Sequence, residues 1–364
     1  MLPPGKIKSC PEDFVVEEIP AYEPSGAGDH LYIRFTKRDL TTDAAVRAIA
    51  SALDVRGRDI GIAGMKDKVA VTTQTVSVPV PPGDTGAIEA RARGLTLDRI
   101  TIHDARRHGN KLRTGHLAGN RFSLCIRGIP GGRVDEVVGA LERLGKEGLP
   151  NAFGAQRFGR DKDNADRARA WLSGRERGPR EPRMKRLLWS SLQSAMFNEV
   201  LRRRIEAGTW ALPLEGDLVK RRESGGLFLC TDVEVDRRRA AEGEICPTGP
   251  MFGVKMRAPE GAPLALEQSV LTEMLGDGVD LAITKPLGEG TRRALRLWVD
   301  ELRIERDPPS KGPGTEEQGS SIRVYFVLPK GAYATTVIGT VVALEETSAG
   351  IDASASPEET TAEA

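Results

Sequence analysis

The fold is decided by residues 61–74, GIAGMKDKVAVTTQ. The apolar run IGIAG, 60–64, predicts a short strand before a charged turn. After the turn, valines alternate with polar residues up to position 80, which predicts a second strand. The turn MKDK, 65–68, therefore projects from between two elements of a sheet.

Asp67 stands in this turn between Lys66 and Lys68. A carboxylate with a cation on each side is an anion at neutral pH. As an anion it suits a nucleophile or a general base. The alternative is a structural aspartate that caps the backbone of its own turn. The residue types of the turn leave both open.

Outward from this segment, hydrophobic periodicity predicts further elements. Thr42 is expected to cap a helix whose apolar face is Val46, Ile49, Ala50 and Leu53. Further helices are predicted over 134–144, 163–173 and 187–206. Alternation predicts strands at 14–19, 30–35, 122–127 and 322–328, and in the closing run YATTVIGTVV, 333–342.

The composition is that of an ordinary globular protein. The chain has 364 residues, of which 39% are hydrophobic, and this allows one large or two medium domains. Arg-rich helices begin at about residue 151 and strands resume near the end. We therefore expect a catalytic domain built from 1–150 and 306–344, with 151–305 inserted into it. Residues 345–364, rich in Ala, Ser, Thr and Glu, predict a disordered acidic tail.

Charge is unevenly distributed along the chain. The net charge is +1, but the tail carries six acids and no base, which leaves +7 on residues 1–344. Two segments are markedly basic: 105–123 has five Lys or Arg and no acid, and 157–186 has eleven against five acids. Such clusters indicate a polyanion such as nucleic acid. The alternative is solvated surface loops.

Several classes of protein are disfavoured. The four cysteines, of which the closest two are 16 residues apart, and the four histidines show no metal-ligand spacing, so we expect no metal. The longest apolar-leaning stretch, 331–344, is too short to cross a bilayer. The first residues show no secretory signal. We therefore expect a cytoplasmic protein that contacts no membrane.

Residues 61–74 resemble the hallmark of the TruD family of tRNA pseudouridine synthases, G-x-A-G-x-K-D-(basic)-x-A-V-T-x-Q. Further blocks follow in the order of that family. They are KxxPEDFVVEE at 8–18, GxHLYIRFTK at 28–37, ARRHGNKLRTGHLAGNRF at 105–122, PNAFGAQRFG at 150–159, SAMFN at 194–198 and LPKGAYATTV at 328–337.

The resemblance implies an α/β (α+β) fold. Its catalytic domain is a pseudouridine-synthase domain with a mixed, largely antiparallel sheet, interrupted by an inserted α/β TRUD domain. The implied activity is isomerisation of uridine to pseudouridine in tRNA, typically at uridine 13 of the D arm, with no metal or redox cofactor. The implied partner is tRNA, and with no exposed heptad we expect a monomer.

The resemblance also implies roles for particular residues. Asp67 would be the nucleophilic carboxylate. Phe14, Asn120 and Tyr333 fall on positions that contact the substrate in the family, and Phe122 matches the aromatic that stacks on the uracil. Lys8 matches a basic position that would pair with Asp67 or with a phosphate. Lys66 and Lys68 are candidates for contacts to the RNA backbone.

Other interpretations remain at this stage. For Phe14, Phe122 and Tyr333 the alternative is packing in the core. For the whole chain the alternatives are a catalytically silent tRNA-binding or tRNA-folding protein on the same fold, and a metabolic α/β enzyme with Asp67 as general base. One position departs from the family pattern, since Thr340 occupies a slot that is usually acidic.

Overall fold

The computed structural model describes residues 1–276, 281–307 and 319–345. They form two compact units, one of Met1–Glu147 with the described residues from Trp298 onward, the other of Gly148–Leu297. The chain thus rejoins the first unit before residue 306, because the strand Asp300–Asp307 pairs within the sheet of that unit. Apart from Glu345, the predicted acidic tail lies outside the described residues.

The regular elements follow one another along the chain in three groups. Up to residue 147 they are β1 Pro4–Gly5, β2 Phe14–Pro20, β3 His30–Arg38, α1 Thr42–Leu53, β4 Gly61–Ile62, β5 Val71–Pro79, α2 Ala87–Arg93, β6 Ile100–His108, β7 Leu117–Ile129 and α3 Val134–Glu147. In the second unit they are β8 Leu149–Pro150, α4 Asn164–Leu172, α5 Pro182–Glu206, β9 Leu218–Arg221, β10 Leu227–Leu229, α6 Val233–Ala241, β11 Ile245–Met251, α7 Gly261–Leu275, β12 Thr291–Ala294 and β13 Arg296–Leu297. The last group is β14 Asp300–Asp307, β15 Ser320–Pro329, α8 Ala334–Ile338 and β16 Ala343–Leu344.

The first unit is built on a mixed sheet with the strand order β14-β15-β7-β2-β5-β3-β6 and with β4 beside β5. Strands β2 and β5 run parallel, whereas the other neighbours in this sheet are antiparallel. The second unit has a four-stranded antiparallel sheet, β10-β9-β11-β12, together with helices. The predicted fold class, a mixed and largely antiparallel sheet within an α/β chain, is confirmed.

One face of the large sheet is covered by helices. The buried side chains of β3 on this face, Leu31, Ile33 and Phe35, pack with Ile49 and Leu53 of α1. Burial of such side chains provides about 25 cal/mol per Å² of apolar surface, which makes this layer a main source of stability. Side chains also alternate between the two faces of the sheet along β2 and β7, so the candidate site residues of these strands lie on one face.

Two local predictions are wrong, and the first concerns the start of α1. The N-cap is Thr41, whose hydroxyl accepts a hydrogen bond from the backbone N–H of Ala44 at 3.2 Å. Thr42 is the first helical residue and is fully buried. Either of two successive threonines satisfies the same sequence signal, so the pattern alone did not distinguish them.

The second wrong prediction is the closing strand at 333–342. Residues Ala334–Ile338 form the helix α8 instead. The buried side chains of this region are Ala334, Val337, Ile338, Val341 and Val342, and from Ala334 to Ile338 and on to Val342 they recur at intervals of three and four residues. This spacing buries one face of a helix, and it overrides the β propensity of the Thr and Val residues.

An ion pair fixes the entry to β2. The fully buried carboxylate of Asp13 accepts two hydrogen bonds from Arg127 on β7, at 2.7 and 2.8 Å. Burial alone would raise the pKa of Asp13, but the hydrogen bonds and charge of Arg127 outweigh it and hold the pKa below its usual range. Its stabilising contribution is therefore present above the unfolded pKa of about 3.9 and is lost as the pH falls through the folded value.

We predict that the two halves of this pair are not equivalent. Arg127→Met leaves a buried carboxylate without its cation and should lower the free energy of unfolding by about 3 kcal/mol. Asp13→Asn leaves an arginine whose side chain is 41% exposed and can be solvated, so we expect a loss of about 1 kcal/mol. Urea unfolding of both variants at neutral pH measures the difference. Equal losses would contradict this account.

Candidate active site

The charged turn 65–68 connects β4 to β5, as the sequence predicts. The strand before it is closely packed, since a Cβ atom on Gly61 would lie 2.1 Å from the carbonyl oxygen of Leu112. Within the turn, Lys66 points inward, whereas Asp67 and Lys68 are exposed. The Asp67 carboxylate is therefore exposed to a ligand, while the strand that precedes the turn is closely packed.

Lys8 is the cation that contacts this carboxylate. Its Nζ donates to Oδ1 of Asp67 at 2.9 Å, and the two side chains are 19% and 52% exposed. Among the described residues, Oδ2 of Asp67 has no hydrogen-bond partner. Exposed pairs of this kind add little to stability. The contact instead orients a carboxylate that keeps one oxygen available.

A row of aromatic rings begins next to this pair. The Lys8 Nζ lies 4.2 Å from the ring centroid of Phe14, within the range of a cation–π interaction. The Phe14 ring meets Phe122 edge to face at 6.2 Å, and Phe122 stacks on Phe326 at 5.3 Å. Phe14 and Phe122 are both buried, so in this structure they are also core residues.

Asn120 precedes Phe122 by two positions on β7, which places both side chains on the same face of the sheet. Its Oδ1 atom is buried and has no hydrogen-bond partner among the described residues. Buried polar atoms are nearly always paired, so an unpaired acceptor beside the aromatic row indicates a position for a ligand donor.

Glu18 lies opposite Asn120 in the pairing of β2 with β7. Its carboxylate is 3.0 Å from the Nζ of Lys66, with side-chain exposures of 3% and 7%. The backbone N–H of Thr75 also donates to Glu18 at 3.2 Å. Lys66 is therefore used within the unit, against the expectation that it would contact an RNA phosphate, whereas Lys68 remains exposed.

Tyr333 lies at the chain reversal after β15 and caps α8. Tyr333 is 43% exposed, and its carbonyl oxygen accepts hydrogen bonds from the N–H groups of Thr336 and Val337. The strand before it pairs Leu328 with Asn120. Thr340, at the slot that is usually acidic, is exposed, and its hydroxyl donates to the carbonyl of Val337 at 2.7 Å.

The basic stretch 105–123 is partly neutralised within the first unit. Three of its arginines pair with carboxylates: Arg106 with Asp104, Arg107 with Asp84 and Glu89, and Arg121 with Glu17 and Glu301. In the described part of the chain, Lys111 and Arg113 have no carboxylate within 4 Å. These two are the cations of the stretch that remain for an external anion.

The described residues contain neither a metal-binding cluster nor a membrane-spanning helix. No group of three or more His, Cys, Asp or Glu side chains in the described ranges is arranged to hold a metal ion. Across those same ranges, no helix has the length and apolar character needed to cross a bilayer.

Comparison with known proteins identifies the family. The sequence profile described as tRNA pseudouridine synthase D (TruD) matches residues 4–173 and 180–341. The chain belongs to the TruD family. Its relatives include the tRNA pseudouridine synthase D of Anaeromyxobacter sp. (strain Fw109-5), 42% identical over 92% of this chain and 91% of that protein. The protein of the same name from Thermus thermophilus is 36% identical over 94% and 89% of the two chains.

A solved structure agrees with the profile. The crystal structure of a TruD protein from Methanosarcina mazei superposes with a TM-score of 0.74 at 26% identity, covering 94% of each chain. The mixed sheet described above is therefore the fold of the TruD family.

Sequence reasoning missed several buried polar residues beneath the turn of this TruD chain. Glu18, Lys37 and Gln74 each lie on a strand, at one of the alternate positions whose side chains are buried. In β3, for example, Lys37 continues the series Leu31, Ile33 and Phe35. A charged or amide residue in the buried phase of an alternating strand is the signal that could have found them.

Proposed function

We propose that this chain isomerises uridine to pseudouridine in tRNA, with Asp67 as the catalytic carboxylate and without a cofactor. The site we favour is uridine 13 of the D arm, as the family resemblance implies. The first unit would be the catalytic domain and the second the inserted TRUD domain. The observation that carries the proposal is the exposed Asp67 carboxylate, held by Lys8 beside the rings of Phe14 and Phe122.

The reaction requires few groups. The bond from the ribose C1′ to N1 of uracil breaks, the uracil turns while bound, and C1′ bonds to C5. The hydrogen on C5 leaves as a proton and N1 gains one, so atoms and electrons balance. Whether a carboxylate attacks C1′, adds to the uracil ring or removes a sugar proton, it must be anionic and within reach. Asp67 is the proposed carboxylate because its Oδ2 is free of partners in the described residues and would be available to the substrate.

The surrounding side chains suit a detached uracil. The flat ring of Phe122 would hold the base by stacking while allowing it to rotate. The unpaired Oδ1 of Asn120 would accept the N3–H of uracil. Cytosine has an acceptor at N3, so the same contact would disfavour cytosine. Tyr333 would contact the substrate from the chain reversal before α8.

Affinity for RNA would come from phosphate contacts. In the first unit Lys68, Lys111 and Arg113 are available. The second unit by itself exposes a further set of cations on and around α4 and α5: Arg160, Lys162, Arg167, Arg175, Arg177, Arg180 and Arg186. Binding through such contacts weakens steeply with salt. Because a base in a folded arm is stacked, we expect the target nucleotide to be flipped out, at a cost of a few kcal/mol.

The test is release of tritium from tRNA transcripts labelled at uridine C5, with and without a uridine at position 13. We expect release by the wild-type protein, and from the transcript with uridine 13 only. Release from both transcripts would retain the activity and overturn the proposed position. Salt-sensitive binding without any release would favour the catalytically silent tRNA-binding protein instead.

A further inference from the structure

A fully buried lysine lies beneath the turn that carries Asp67. Lys37 is on β3, and its side chain follows Leu31, Ile33 and Phe35 on the helix-covered face of the sheet. In the register of the sheet it stands between Thr72 of β5 and Ile100 of β6. Burying an ammonium group is costly unless it is hydrogen-bonded, so its partners indicate why it is there.

The Lys37 ammonium donates to the backbone carbonyl oxygen of Asp67 at 2.7 Å. The contact is made to the main chain, so it fixes the peptide that carries the carboxylate while leaving the carboxylate free for Lys8 and a ligand. A charge-assisted hydrogen bond to a carbonyl is also among the stronger kinds available in a protein.

Thr42 attaches the preceding residue of the turn from a different element. Its hydroxyl accepts a hydrogen bond from the backbone N–H of Lys66 at 3.0 Å and lies 3.4 Å from Oε1 of Gln74. Thr42 and Gln74 are both buried. Since Thr42 is the first residue of α1, the turn is fastened to a helix at residue 66 and to a strand at residue 67.

We propose that Lys37 and Thr42 are positioning residues that hold the main chain of the turn so that the Asp67 carboxylate lies where the substrate needs it. This inference rests on the proposed function. The Lys66–Glu18 ion pair also holds the turn, but Asp67 itself is exposed. A reacting group displaced by about 1 Å costs about 100-fold in rate. Lys8 forms a partly exposed ion pair with Asp67, and it orients the carboxylate but does not hold the backbone.

The first variant is Lys37→Met, which keeps the length of the side chain and removes the ammonium. We expect tritium release in a single turnover at saturating tRNA to slow by about 100-fold. Affinity for tRNA should stay within about threefold, because Lys37 does not reach the surface. Amide hydrogen exchange in the peptide 63–71 should rise by about tenfold, since the turn loses an anchor.

The matched control is Phe35→Leu, two positions earlier on the same strand and the same face. This residue is also fully buried but packs against α1 rather than the turn. We expect lower stability with the rate per folded molecule and the exchange of 63–71 within about twofold of wild type. An equal loss of rate and protection in this control would overturn the inference, because any weakening of β3 would then have the same effect.

Thr42 gives an independent pair of variants, which also serves if Lys37→Met does not fold. Thr42→Val removes the acceptor of the Lys66 N–H at nearly constant shape and should slow the reaction about tenfold. Thr42→Ser keeps the hydroxyl and should restore the rate to within about twofold of wild type. Equal rates in both variants would show that the hydroxyl is not the positioning group.

The exchange measurement separates this inference from the proposed function. If wild type releases no tritium, the proposed function falls, and unchanged protection of 63–71 in Lys37→Met would overturn the anchoring as well. If wild type is active and Lys37→Met is equally active with an equally protected turn, the positioning role alone falls. A slow Lys37→Met with an exposed turn and a normal control supports both.

Discussion

Asp67→Asn is expected to slow pseudouridine formation on the order of 10⁴-fold or more while tRNA affinity stays within about threefold. The substitution removes the negative charge and keeps the shape of the side chain. Because the Asp67–Lys8 pair is partly exposed, its loss should leave the melting temperature within about 2 °C of wild type. Tritium release, filter binding and thermal unfolding measure the three quantities on the same preparation.

The control for charge is Asp59→Asn, at an aspartate that pairs with Arg56 at 2.7 Å in the same unit. This variant also removes one surface carboxylate and should keep the rate within about twofold of wild type. Lys8→Met tests the partner of Asp67 and should slow the reaction by an intermediate factor, about 10- to 100-fold, because the carboxylate remains but is no longer oriented. Full activity in Asp67→Asn, or its failure to fold, would remove Asp67 from the catalytic role.

The sheet could be predicted from the sequence because its strands alternate cleanly. The valines of 76–80 and the alternation over 122–127 and 322–328 specify a buried face regardless of what the rest of the chain does. The turn 65–68 could also be predicted, since three successive charged residues between two apolar strands have no place inside the sheet. The basic segments indicated an anionic partner, but not which arginines are already paired with carboxylates in the folded unit.

The contacts beneath the turn could not be predicted in this way. Strand pairing brings Lys37 to the carbonyl of Asp67, 30 residues away in the sequence. The packing of α1 brings Thr42 to the N–H of Lys66, 24 residues away. Periodicity shows that Lys37 faces inward, but not which carbonyl it reaches. The prediction of a strand in the region of α8 was wrong for a related reason. Tertiary packing there favours a helix with one buried face over the local β propensity.

Phe122→Leu is the second variant with a large expected effect. Leucine nearly preserves the apolar volume but has no flat face on which a detached uracil can stack and turn. We expect single-turnover tritium release to slow by about 30- to 100-fold, with tRNA affinity within about threefold, because the ring would touch one base of an interface dominated by phosphates. The free energy of unfolding should fall by about 1 kcal/mol.

The matched control is Phe326→Leu, at the ring on which Phe122 stacks. This variant also removes one buried phenyl ring, on the neighbouring strand, so its cost in stability should be similar. Its rate should stay within about threefold of wild type, since Phe122 would still present its own ring beside Phe14 and Asp67. If both variants slow the reaction alike, the ring of Phe122 acts through packing, and the stacking role passes to another side chain of the site.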